Sequence, residues 1–307
     1  MSRDMAIPKY MSFKAACIQM NSGGDMNANL TQLEKLIGKA AAKGAHFIVT
    51  PEYTNLLFDD MADAIPVVLP QAHDITLARC RELARDLRVW IHIGSLALKE
   101  SSDKISNRSF LIDADGNIVS TYDKVHLFDT NTPDGNVHRE SAGVVRGQEV
   151  KVVETPFGNI GMGICYDLRF SDQFKEMMMA GAEIFVLPAA YTVPSGERTW
   201  EAFLMARAAE NGCFVIAAGQ CADEGFGGCW GHSMIVSPWG PIIARTPAGA
   251  TGKADKEAGV VVAELKRTEL DQARAAYPVA DQTNESPYRI IVVKESYQRK
   301  ISAPQPG

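Results

Sequence analysis

Short apolar runs alternate with stretches of helical period along almost the whole chain, and this grammar constrains the fold more than any other feature. FKAACIQM, residues 13–20, is apolar enough for a buried strand. The following NANLTQLEKLIGKAAAKGA sets Leu30, Leu33, Leu36 and Ile37 on one helical face, and Gly44 is placed to stop that helix. HFIVTPEY reads as the next strand, residues 74–87 as a helix with Leu77, Cys80, Leu83, Ala84 and Leu87 at helical spacing, and residues 89–98 as a third strand. NRSFLIDADGNIVSTYDKVHLF is strand, Asp-Gly turn, strand. Residues 129–147, polar and glycine-bearing, read as a long loop, a feature often tied to function. The second half resumes the alternation. GNIGMGICYDLRF is a strand running into a helix start, AEIFVLPAA a strand, and TWEAFLMARAAENG a helix ending at Gly212. CFVIAAGQ, WGHSMIVSPWGPIIARTP and GVVVAEL are further strands.

Strands interleaved with helices build sheets covered by helices. No Pro-, Ser- or Gly-rich linker divides the chain, so the expectation is an α/β fold: a four-layer α-β-β-α sandwich with two sheets face to face and helices outside. Residues 13–293 are expected to form one domain, with an N-terminal tail over 1–12 and a C-terminal tail over 294–307 placed to pack at an oligomer interface. A net charge of −6 gives no footprint for nucleic acid, whose phosphates call for a basic excess. No apolar run reaches the length of a membrane span. The first residues lack a continuous apolar stretch, so no secretory leader is expected and the cytoplasm is the expected compartment. Six cysteines in 307 residues are too sparse for a disulfide framework and are expected to be thiols.

Four residues stand out chemically. Cys165 ends an apolar strand and precedes a helix opening, where a nucleophile is exposed and backbone N–H groups point at a reacting oxygen; the helix N-terminus and a nearby cation would favour its thiolate. The bland reading is a buried core cysteine. Glu52 follows an apolar strand, at the sheet edge where α/β proteins place ligands, and is otherwise a solvated loop carboxylate. Lys124, between Tyr122 and Val125 on a mostly apolar strand, either snorkels to water or serves a site, and Glu140 in the polar loop is uninformative alone. Cys213, Cys221 and Cys229 lack the close cysteine pairing of a zinc site. His126 and His232 could pair with a thiol for cysteine–histidine catalysis but fit better as framework residues, and no glycine-rich nucleotide loop follows a strand.

Together, TPEY, YDKVHLF, HRES and GICYDLRF resemble the motifs of the nitrilase superfamily of carbon–nitrogen hydrolases, and the flanking blocks resemble it in order over roughly residues 13–293. The resemblance implies that Cys165 is the nucleophile, Glu52 the general base and later acid, Lys124 an oxyanion donor beside the Tyr166 N–H, and Glu140 a supporting carboxylate. It implies no metal, no organic cofactor, and a homodimer or larger homo-oligomer. CYDLRF is similar to the amidase branch that includes omega-amidase and deaminated glutathione amidase. In related carbamoylases an arginine at the position of Arg169 grips the substrate carboxylate; its structural alternative is an ion pair with Asp167. Tyr166, Tyr191 and Thr192 are the other expected pocket residues. The implied reaction converts a short carboxylate-bearing amide to acid and ammonia through a thioester. The alternatives are an N-carbamoyl hydrolase, a nitrilase, or a catalytically silent binding protein on the same fold.

Overall fold

The computed structural model describes residues 10–132, 135–222, 228–246 and 254–283. Strand β1 (Ser12–Gln19) leads to helix α1 (Met26–Ala42), whose N-terminus is capped by Asp25 accepting from the N–H groups of Asn27 and Ala28. Leu33, Leu36 and Ile37 are buried on its inner face, and the chain turns away at Gly44, φ +82°. After β2 (Phe47–Val49) and the short helix α2 (Met61–Ala64), Asp74 caps α3 (Ile75–Leu87). β3 (Trp90–Lys99), β4 (Ile105–Ile112) and β5 (Ile118–Asp123) follow, the last two joined through the expected Asp-Gly turn.

Residues 129–147, expected to be a loop, are more ordered than that. β6 (Asp129–Asn131) pairs with β7 (Val137–Arg139), a 3-10 turn covers Glu140–Ala142, and β8 (Val144–Val145) runs beside β4. Strands of two or three residues carry too little alternation to be read from sequence. Next come β9 (Lys151–Thr155), β10 (Gly158–Met162), α4 (Ser171–Met179), β11 (Ile184–Val186) and α5 (Val193–Asn211). α5 begins at Val193 rather than the expected Thr199, because Pro194 falls in its first turn, where a missing N–H costs nothing. β12 (Phe214–Ala217), β13 (Met234–Val236), β14 (Ile242–Arg245), β15 (Gly259–Lys266), α6 (Arg267–Ala276) and α7 (Val279–Thr283) complete the order.

One sheet has the order β15-β1-β2-β3-β4-β5, the other β14-β13-β12-β11-β10-β9. Alternation along β1 sends Ala15 and Cys17 into the space between the sheets, where they join Val49, Leu111, Ile160, Met162, Ile184 and Phe214. Ala16 and Ile18 face the other way, onto Leu33 and Ile37 of α1 and Leu83 of α3. Each such fully buried aliphatic side chain stabilises the fold by roughly 1.5–3 kcal/mol. The helices α4 and α5 cover the outer face of the second sheet through Phe174, Met177, Trp200 and Leu204. The result is the four-layer α-β-β-α sandwich. Tyr10 stacks on Phe157, with ring centroids 5.6 Å apart. Residues 1–9 and 294–307, read as tail, lie outside the described residues.

Candidate active site

Two strand ends meet between the sheets. β2 leads through Thr50 and Pro51 to Glu52, and β10 leads through Gly163 and Ile164 to Cys165, both at carboxyl ends of parallel-paired strands. The backbones approach closely because Gly94 lacks a side chain; a Cβ there would overlap Thr50 O, Pro51 O and Pro188 Cβ. Cys165 opens a 3-10 turn (Cys165–Arg169) in left-handed backbone, φ +48°, and donates its N–H to Pro188 O at 2.8 Å. That conformation costs a non-glycine residue roughly 1–2 kcal/mol, and strain of this kind persists where the surroundings over-determine it.

Lys124 follows β5 directly, and its N–H donates to Asn107 O on β4 at 3.0 Å, so sheet register sets these two residues side by side. Lys124 Nζ lies 2.8 Å from Glu52 Oε1 and 2.9 Å from Glu140 Oε2. Asn107 Nδ2 donates to the same two carboxylates, at 2.8 Å to Glu52 Oε1 and 3.1 Å to Glu140 Oε1. Tyr53 OH donates to Glu140 Oε1 at 3.0 Å, Phe128 N to Glu140 Oε2 at 2.6 Å, and Ala190 N to Glu52 Oε2 at 2.7 Å. The Cys165 thiol hydrogen-bonds Glu52. All four expected chemical groups therefore converge, and all are sealed from bulk water: Glu52, Lys124, Glu140 and Cys165 are 1%, 2%, 6% and 7% exposed.

Burial alone would pull the Lys124 ammonium down, but the carboxylates of Glu140 and Glu52 outweigh it and hold its pKa well above the ordinary value. Burial, then the Glu52 charge, push the Cys165 thiol well above its ordinary range, with Lys124 pulling the other way and losing. This corrects the expectation that a helix N-terminus and a nearby cation favour the thiolate; Cys165 opens a 3-10 turn instead. Two carboxylates outnumber one ammonium around the sulfur, so the proton stays on it until a base removes it.

Beside the cluster, a narrow hollow is lined by Phe128, Cys165, Tyr166, Arg169, Ala190, Tyr191, Thr192 and Ser195. It adjoins a second one whose walls include Glu52, Lys124, Glu140 and Cys165. Arg169, Tyr166, Tyr191 and Thr192 thus share one cavity with the thiol. Among the described residues Arg169 makes no ion pair; its guanidinium lies 5.4 Å from the Phe203 ring centroid. Asp167 turns instead to His126, with Oδ1 2.8 Å from Nδ1. Thr192 Oγ1 is buried without a hydrogen-bond partner among the described residues. His232 stacks on Trp230, and among the described residues no three His, Cys, Asp or Glu side chains converge to hold a metal ion. Asn107, Tyr53 and Phe128 were not singled out from sequence. They reach the cluster through cross-strand register and a short hairpin, and only the NRSF block of the resemblance carried a trace of Asn107.

A buried thiol, two carboxylates and an ammonium at the strand ends of a four-layer sandwich define a hydrolase-type site. The model of the carbon–nitrogen hydrolase family matches residues 14–275, and the chain belongs to that family. It is 40% identical over 237 residues to the deaminated glutathione amidase of Yersinia enterocolitica, covering 76% of this chain and 82% of that protein. It is 35% identical over 280 residues to the deaminated glutathione amidase of a Synechocystis strain, covering 87% and 96%. The crystal structure of the C. elegans NitFhit protein superposes with a TM-score of 0.80 at 31% identity; the match covers 90% of this chain and 65% of that longer one.

Proposed function

We propose that the protein hydrolyses a short amide bearing a carboxylate, giving the acid and ammonia through a thioester on Cys165. The observation that carries this reading is the Lys124 ammonium wedged between Glu52 and Glu140 beside the Cys165 thiol. Of the nitrogen donors, Lys124 and Asn107 both bond Glu52 Oε1, whereas Oε2 accepts from Ala190 alone. Each carboxylate oxygen has two acceptor positions, so Oε2 is the one open to a proton. As sulfur bonds the carbonyl carbon, the thiol proton passes to Glu52. Charge grows on the carbonyl oxygen, where Lys124 and the Tyr166 N–H stand ready; one such donor contributes about 3 kcal/mol. Glu52 returns the proton to nitrogen, the C–N bond breaks and ammonia leaves. Water then attacks the thioester with Glu52 again as base, releasing the acid and the thiol. Glu140 takes no proton in this scheme; it holds Lys124 in place. No step calls on a metal or an organic group.

Arg169 and Thr192 line the cavity that opens on Cys165, a pairing suited to a carboxylate. The two relatives named for deaminated glutathione amidase support the same substrate class. We further propose that residues 13–293 act as one unit, which the family match over 14–275 supports, that the protein works in the cytoplasm, and that it is a homodimer or larger homo-oligomer. The test is a panel of short mono-amides with and without a terminal carboxylate, N-carbamoyl compounds and nitriles, assayed for ammonia. The carboxylate-bearing amides should turn over fastest. Faster release from nitriles or carbamoyl compounds would reassign the substrate class, and no release from any would favour a silent binding protein.

A further inference from the structure

Asp167 lies two residues beyond Cys165 and is fully buried. Its Oδ2 accepts from Tyr122 OH at 2.7 Å and from Ile164 N at 2.9 Å. Its Oδ1 accepts from His126 N at 2.9 Å and faces His126 Nδ1 at 2.8 Å. Gln173 Nε2 of α4 donates to the Tyr122 hydroxyl at 3.1 Å and fixes it from behind. Tyr122 and His126 stand two residues on either side of Lys124, and Ile164 immediately precedes Cys165. One carboxylate thus grips the arm that carries the ammonium, from the first sheet, and the turn that carries the thiol, from the second. None of its four bonds goes to Glu52, Lys124, Glu140 or Cys165. We infer that Asp167 is a positioning residue that sets where Lys124 stands relative to Cys165, on the reading above that these two groups act on the same carbonyl.

Asparagine at this position has nearly the same shape but one acceptor oxygen, so its NH2 would face donors and the clasp would open on one side. Displacing a reacting group by about 1 Å costs on the order of 100-fold in rate. Alkylation of Cys165 by iodoacetamide separates this role from general damage. There sulfur displaces iodide from a saturated carbon and its proton passes to Glu52, so no oxyanion forms and the service of Lys124 to one is not tested. The experiment compares amide turnover with Cys165 alkylation, read by peptide mass spectrometry, in the parent, Asp167→Asn and Tyr122→Phe. The expected result is a kcat lowered about 100-fold in Asp167→Asn and about fivefold in Tyr122→Phe, with KM and alkylation rate close to the parent's. Tyr122→Phe removes only a hydroxyl and decides the matter if Asp167→Asn does not fold. An unchanged kcat, or alkylation falling in step with kcat, would overturn the inference. A parent that forms no acyl adduct on Cys165 would instead overturn the reading beneath it, and the inference with it.

Discussion

The Lys124 ammonium and the Glu52 carboxylate sit 2.8 Å apart, with each side chain 2% exposed. Lys124 therefore keeps its charge and has no solvent to share it with, which is what stabilising a developing oxyanion requires. Lys124→Ala should lower kcat by about 100- to 1,000-fold while KM changes little. Steady-state kinetics on a short amide checks this, and a loss confined to KM would make Lys124 a binding residue.

Glu140 accepts from Lys124, Asn107, Tyr53 and the Phe128 N–H. Glu140→Leu would take an acceptor from all four, leaving Lys124 and Asn107 to Glu52 alone. A loss of about 3–5 kcal/mol is expected in urea unfolding, as for a broken buried ion pair, with Glu140→Gln losing clearly less. Equal stability of Glu140→Leu and the parent would contradict this account of the cluster.

The layers of the fold are legible because β1, α1 and α3 bury the periodic residues the sequence displays: Cys17 between the sheets, Leu33 and Leu83 beneath helices. Cys165 and Glu52 are legible as polar residues at the ends of apolar strands. Lys124 and Glu140 become legible only through family motifs. Their meeting depends on the β4–β5 register and on a hairpin whose strands are too short to show a period. Asn107 and Asp167 stay hidden for the same reason: each acts across strands that are distant in sequence. The protonated state of Cys165 follows from burial and from the count of neighbouring charges, which only assembled side chains reveal.

Arg169 is free of ion pairs among the described residues and lines the cavity beside Cys165. Arg169→Ala should reduce kcat/KM about 10-fold or more for a carboxylate-bearing amide, the scale of one charge-assisted hydrogen bond. A neutral amide of the same length should lose far less. Equal losses on the two substrates would give Arg169 a structural role.

His92 is fully buried on β3, and neither ring nitrogen has a partner among the described residues. Burial drives its pKa from 6.5 down to about 3. The ring is neutral in the fold, so its contribution to stability is fully present above about pH 6.5 and is lost as pH falls from 6.5 towards 3. That loss approaches about 1.4 kcal/mol per pH unit from this group. Chemical denaturation of the parent and His92→Leu across that window should give a flatter pH dependence for the variant. Parallel curves would contradict the buried neutral ring.

Light scattering at micromolar concentration addresses the proposed assembly. A mass of two or more chains is expected, and a monomer would count against it.

The most direct measurement is rapid acid quench of the enzyme during turnover of a short omega-amide, followed by peptide mass spectrometry. The account predicts that the Cys165 peptide gains the mass of the substrate less ammonia, that Glu52→Gln fails to accumulate this adduct, and that Cys165→Ala releases no ammonia. Ammonia release undiminished in Cys165→Ala would contradict it.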